Sequence, residues 1–177
     1  MPQKGQILKD PATEDTYEYL ELSKDTNGER MTMKPTLNKG QFPNHIHTLQ
    51  DEVFEVLAGR LTIWADGKTQ TLSVGQKMFL PKNKPHNHYN NDDEPVTFIQ
   101  TVSPALDFEY WEENIIGLTT DGKIKNGKAS FMQNVVTLRY LDSKTFLVNM
   151  PIPMQKFLTN LLGPIGRIER FTRNIQE

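Results

Sequence analysis

The chain has 177 residues, 36% hydrophobic and 24% charged, and 20 basic against 22 acidic side chains give a formal charge of -2. That composition reads as one globular domain, or a small domain with an appendage, without the basic excess that holds nucleic acid. Cysteine is absent, which excludes disulfides, iron–sulfur clusters, thiolate zinc sites and a cysteine nucleophile.

Residues 1–10 are polar and include Lys4 and Lys9 without an apolar stretch behind them, so they do not read as a secretory signal. No apolar run approaches the roughly 18 residues of a membrane span, and the expected location is cytoplasmic. From Tyr17 to Ser103 the pattern is short and β-like. Tyr17–Leu22 and Arg30–Thr36 alternate, and Val53–Leu57 and Leu61–Ala65 flank Ala58-Gly59-Arg60. Asp66-Gly67 between Leu61–Ala65 and Thr69–Val74 is a hairpin signal. Met78–Leu80 ends at Pro81, and Val96–Val102 is the last strand of the series. Short strands without a helical stretch among them predict a sandwich or small barrel.

Near residue 105 the period changes. Phe108, Trp111, Ile115 and Leu118 share a helical face, as do Phe131, Val135 and Leu138. Thr119–Ser130 reads as a polar loop. Met154–Arg173 reads as a last helix interrupted at Gly163-Pro164. Residues 1–105 are therefore expected to form a β-barrel domain and residues 106–177 a helical extension. That extension carries Phe108, Trp111, Phe131, Phe146, Phe157 and Phe171, more apolar surface than a small barrel covers, so partial packing across a homodimer interface is expected. Its stripe of Arg167, Arg170 and Arg173 reads as an amphipathic helix packed on protein rather than on a membrane.

The chemistry lies in the β part. All four histidines fall between residues 45 and 88. His45 and His47, two apart on an extended strand, point to one face. Glu52 follows across a short turn, and His86 comes after Pro81–Pro85. Singly, each is ordinary. Together, three imidazoles and a carboxylate can form one face of a metal shell with open positions for water or substrate, and such N/O sets suit Fe, Mn, Co, Ni, Cu or Zn rather than Mg or Ca. His88 and Asn90 continue the parity of His86, as outer contacts of the shell or substrate contacts.

These spacings resemble the two motifs of the cupin superfamily. In the first, Gly40 precedes His45-Ile46-His47, four residues lead to Glu52, and Val53–Ala58 lead to Gly59. In the second, Gly75 is followed by five residues to Pro81, then His86, and three more to Asn90. Two departures are present: the Gly40–His45 gap is one residue short, and Asn83 stands where the motif has glycine, a left-handed position that Asn tolerates best after Gly.

The resemblance implies a double-stranded β-helix barrel, mainly β, with a C-terminal α-helical extension. It places one divalent transition metal per chain (Fe, Mn, Ni, Cu or Zn) on His45, His47, Glu52 and His86. Phe54 and Val56 share the parity of Glu52 and are candidate pocket walls. Either Thr62 and Trp64 or Leu61 and Ile63 line the next strand, and Phe98 and Gln100 the last. The segment after Ser103, through Glu113, resembles the stretch that covers the barrel mouth or a dimer interface in small cupins. The implied function is a metal-dependent enzyme on a small organic substrate, by quercetinase-like dioxygenase or isomerase/decarboxylase-type chemistry, with Glu52 as ligand or general base. The alternative is a barrel that binds a sugar or metabolite without turnover. A partner other than a small molecule and a second copy of the chain, such as nucleic acid or membrane, is not expected.

Overall fold

The computed structural model describes residues 2–124 and 129–168. Its strands are β1 (Ile7–Lys9), β2 (Thr16–Glu21), β3 (Met31–Leu37), β4 (His45–His47), β5 (Asp51–Ala58), β6 (Arg60–Ala65), β7 (Lys68–Ser73), β8 (Lys77–Leu80), β9 (His86–Tyr89), β10 (Val96–Ser103) and β11 (Thr145–Leu147). The helices are α1 (Phe108–Thr120), α2 (Phe131–Tyr140) and α3 (Ile152–Ile168). One antiparallel sheet runs β1-β2-β3-β10-β5-β8 and the other β11-β4-β9-β6-β7, which is the predicted mainly-β, two-sheet architecture with helices at its C-terminal side.

Alternation sets which face is inward. In β3, Met31, Met33, Pro35 and Leu37 are buried between half-exposed neighbours. Glu52, Phe54 and Val56 of β5 and Val96, Phe98, Gln100 and Val102 of β10 are buried in the same way. They meet Leu61 and Ile63 of β6 and Leu72 of β7 in one core, so the interior is shared by both sheets. Turn residues follow the expected chemistry. Asp66 and Gly67 have φ of 51° and 80°, the two left-handed positions of a tight hairpin joining Ala65 to Lys68. At Gly59, where the chain passes from β5 into the other sheet, φ is 74° and a Cβ would stand 2.7 Å from the Pro95 carbonyl oxygen.

The region after residue 105 departs from a purely helical reading. β11 lies within it and extends the five-stranded sheet by pairing with β4, Thr145 opposite His47, Phe146 opposite Ile46 and Leu147 opposite His45. Asp107 fixes it there: its carboxylate accepts from the Asp142 and Ser143 amides, each at 2.7 Å. Gln155 holds the other end, accepting from Leu147 N and donating to the carbonyls of Leu147 and Met150. In α1, Phe108 and Leu118 are buried and Trp111 and Ile115 half-buried, but the buried face also takes Glu109, Glu112 and Asn114.

α3 continues through Gly163-Pro164, where the sequence predicts a break. Gly163 serves close packing instead, since a Cβ there would stand 2.8 Å from Arg139 Cγ on α2. Along α3, Met154, Phe157 and Leu161 are exposed (46%, 64% and 57%) while Gln155 and Thr159 are buried. Of the extension's aromatics, Phe108 and Phe146 are buried and Phe131 is exposed. Phe171, Arg170, Arg173 and the side chain of Arg167 lie outside the described residues. No described helix is long and apolar enough to cross a membrane.

Candidate metal centre

β4 and β9 are neighbours in the five-stranded sheet, with His45 directly opposite His86. His47 is two residues along from His45 and so shares its face. Glu52 reaches the same point from β5 of the other sheet. One potential ligand atom from each of His45, His47, Glu52 and His86 lies within 4.8 Å of all the others. The turn before β9 is set by Asn83, whose φ of 65° is the left-handed conformation expected of it, and whose amide donates to the His47 carbonyl at 2.7 Å.

Each imidazole is oriented through its Nδ1. That atom lies 2.9 Å from the Pro43 carbonyl oxygen in His45, 2.8 Å from the Lys84 carbonyl oxygen in His86, and 3.3 Å from Thr145 Oγ1 in His47. A carbonyl can only accept, so Nδ1 donates in His45 and His86, leaving the Nε2 lone pair for the centre. Gln100 Nε2 donates to Glu52 Oε1 at 2.7 Å, a diagonal contact between adjacent strands. The other carboxylate oxygen, Oε2, lies 2.7 Å from His86 Nε2 and 3.8 Å from His47 Nε2. Yet the close pair does not meet hydrogen-bond direction, and both atoms are buried without a partner. Converging lone pairs left unsatisfied in an interior are costly, and a cation among them removes that cost, with neighbouring ligand atoms about 3 Å apart around a transition ion. The residues fit a metal.

Electrostatics point the same way for Glu52, His45 and His47 and the opposite way for His86. Burial pushes the Glu52 carboxyl upward, but the imidazoles of His47, His86 and His45 outweigh it and hold the group well below the usual carboxylate range. Burial keeps His45 and His47 neutral, the form that ligates. In His86 burial opposes protonation and the Glu52 carboxylate favours it, with a net upward shift.

The remaining sequence-predicted site residues divide. Gln100 is in contact with the cluster. Phe54 and Phe98 lie on the inner face, with ring centroids 4.9 and 5.7 Å from that of His88. His88 is held among them and Phe42; its pKa is lowered to about 4 by burial, so it is a neutral imidazole, and its buried Nδ1 has no partner.

Asn90 does not face the site. It donates to the carbonyls of Leu37 and Glu94 and accepts from the Asp92 amide, so its side chain is used up in shaping a turn. Trp64 falls on the opposite face of β6: it pairs with Asn87, whereas Ile63 pairs with His88 and Ala65 with His86. Leu61 and Ile63 are the inner pair of that strand.

Thr145 and Gln50 carry no motif, and nothing in the sequence predicts them. Gln50, between His47 and Glu52, donates to the carbonyls of Pro104 and Ala105 and to Ser143 Oγ, tying the site loop to the extension. Phe108 of α1 meets the His47 ring edge-on at 5.9 Å.

Comparison with known proteins agrees with this geometry. Residues 29–102 match the family model described as the cupin domain. Quercetin 2,3-dioxygenase of Bacillus subtilis (strain 168) is 26% identical over 91 residues, 51% of this chain and 27% of that enzyme, so the chain spans about a quarter of the relative's length. An RmlC-like cupin from Shewanella frigidimarina NCIMB 400 superposes with a TM-score of 0.51 at 24% identity, over 62% of this chain and 92% of the other. A structure titled a predicted oxalate decarboxylase, from Thermotoga maritima, gives 0.50 at 17% identity, over 56% and 90%. Family match, two-sheet fold and histidine spacing coincide on the same strands: residues 29–102 are a cupin domain.

Proposed function

We propose that His45, His47, Glu52 and His86 hold one divalent transition metal ion, from among Fe, Mn, Ni, Cu and Zn, and that the protein is a metal-dependent enzyme acting on a small aromatic or enol substrate in the manner of a dioxygenase. One observation carries the choice of substrate. The interior beside the cluster is aromatic and aliphatic (Phe54, Phe98, Val56, Leu61, Ile63 and the neutral His88), and no lysine or arginine is among the described buried residues. Such a lining suits a flat apolar molecule better than a sugar or sugar phosphate. The partial likeness to a quercetin 2,3-dioxygenase supports it.

A bound ion would supply Lewis-acid polarisation of a substrate oxygen, or a common point for substrate and dioxygen. The chain's own residues supply the rest. His45, His47 and His86 are locked in the ligating tautomer or orientation by Pro43, Thr145 and Lys84. Glu52 is ionised and anchored through one oxygen by Gln100, leaving the other free to ligate or to take a proton from a substrate hydroxyl. Phe108 and α1 cover His47 and limit water there.

The extension, residues 106–177, serves this site through Thr145 and Phe108 and offers the exposed Met154, Phe157 and Leu161 stripe to a second copy. A shift from dimer to monomer on Phe157→Glu, in light scattering at micromolar concentration, is the expected result; a wild-type monomer contradicts this part.

The activity is tested by loading the protein with each metal in turn and following dioxygen uptake with quercetin as the flavonol probe. Uptake in the wild type and not in Glu52→Ala is expected. Quercetin binding without uptake, with every metal, would replace the enzyme by a carrier.

A further inference from the structure

The carboxylate of the cluster is held by an amide that is itself only half used. Gln100 lies buried on the inner face of β10, and its Nε2 donates to Glu52 Oε1 at 2.7 Å. A carboxylate oxygen accepts, so the amide has one orientation and Gln100 Oε1 is the end not spent on Glu52. That carbonyl oxygen is buried, and among the described residues nothing donates to it. The two end atoms of an amide are about 2.3 Å apart, so Gln100 Oε1 stands no more than about 5 Å from Glu52 Oε1.

The neighbours explain why no internal donor meets it. Across the sheet, Gln100 stands opposite Met33 of β3 on one side and Phe54 of β5 on the other. Along β10 its same-face neighbours are Phe98 and Val102. None of the four has a side-chain donor. The one hydroxyl of that row, on Tyr19 opposite Met33, gives its proton to the Glu109 carbonyl at 2.9 Å.

A second buried polar atom without a partner borders the same rings. It is His88 Nδ1, on β9 of the facing sheet, and the His88 ring lies 4.9 Å from that of Phe54 and 5.7 Å from that of Phe98. His88, Phe54 and Phe98 are each two residues from a member of the cluster or its anchor, His86, Glu52 and Gln100, on the same inner face. They therefore form the layer next to the ligands, about 7 Å along each strand. Gln100 joins the two layers, bonded to Glu52 in one and paired with Phe54 in the other. Buried polar atoms left unmet are costly, and two of them flanking one pair of rings mark the place of a polar group supplied from outside.

We propose that Gln100 is a specificity-determining residue: its Oε1 accepts a hydrogen bond from a second hydroxyl of a substrate held at the His45–His47–Glu52–His86 centre through a first oxygen. The inference rests on the metal reading of that centre. It narrows the substrate from any small aromatic or enol to one that keeps a protonated hydroxyl within a ring's width of the oxygen at the centre.

The test uses the full chain loaded with cobalt(II), phenols as probes and the visible spectrum of the cobalt as the binding readout. Catechol and resorcinol carry the second hydroxyl; 2-fluorophenol and 3-fluorophenol replace it by fluorine, which is of similar size and donates nothing. For at least one of these two pairs, the preference for hydroxyl over fluorine should be roughly tenfold smaller in Gln100→Leu than in the wild type. Chelation by catechol is common to the two proteins, and a looser Glu52 is common to the two probes of a pair, so both cancel in the comparison. An unchanged preference in both pairs overturns the proposal and leaves water as the partner of the carbonyl. Should Gln100→Leu not fold, Gln100→Met takes its place. A wild type that binds none of the four, or shows no preference for hydroxyl, overturns the proposal without any variant. Failure of cobalt to bind at all removes the metal reading, and the proposal with it, and is seen as such before a phenol is added.

Discussion

The barrel and its C-terminal extension reach the same centre by different routes. The barrel contributes four side chains whose spacing along the chain and strand parity already bring them together. The extension contributes Thr145 and Phe108, placed only by tertiary pairing: β11 on β4, α1 over His47. Ligands are thus a property of local pattern, while the groups that orient and cover them depend on how a later part of the chain folds back.

Four substitutions break or sharpen this contrast. Phe98→Ala, at the buried junction with Phe54 and His88, should destabilise the barrel by about 3–5 kcal/mol in urea unfolding; a loss below about 1 kcal/mol would mean that this interior is not close-packed. Next in size is Glu112→Gln. A carboxyl whose folded pKa is raised to about 8 binds more protons folded than unfolded, so wild-type stability should fall as pH rises from its ordinary value near 4.5 to about 8. The variant should therefore be the more stable protein at pH 8, by on the order of a few kcal/mol, and the gain should fade toward pH 4.5. Equal stabilities at both ends would remove Glu112 from the interior.

Thr145→Val tests the extension most sharply. It keeps the β-branched shape in β11 and removes only the contact to His47 Nδ1, so metal dissociation measured with a chromophoric chelator should quicken about tenfold, with unfolding unchanged within about 1 kcal/mol. An unchanged rate would reduce the extension to a cover. Trp64→Phe, on the outer face of β6, should alter neither metal retention nor quercetin binding. A clear effect on either would mean that β6 is shifted by one residue.

Much of this was legible in the sequence, and the misses have physical reasons. His45, His47, Glu52 and His86 are readable because each lies on or beside a short strand whose parity is fixed by its neighbours. On β6, alternation leaves two pairs open, Thr62 with Trp64 or Leu61 with Ile63, since a one-residue shift turns every side chain to the other face; only the pairing of Trp64 with Asn87 decides between them. Asn90 has the parity of a site residue, but parity says nothing of the backbone groups a turn presents, and three of those consume its amide. Thr145 is 98 residues from His47 in the chain, in a short strand among helices, and no local period announces it. Burial of Glu112 is not legible either, because an acid between aromatic positions of a helix normally faces water.

The central claim is that this centre binds a metal through these four residues, and elemental analysis of protein purified without chelator or affinity metal tests it most directly. The account predicts about one equivalent of Fe, Mn, Ni, Cu or Zn per wild-type chain and loss of it in His47→Ala, with both proteins folded. A wild-type protein that carries no metal, and takes none up when each ion is offered, would contradict it.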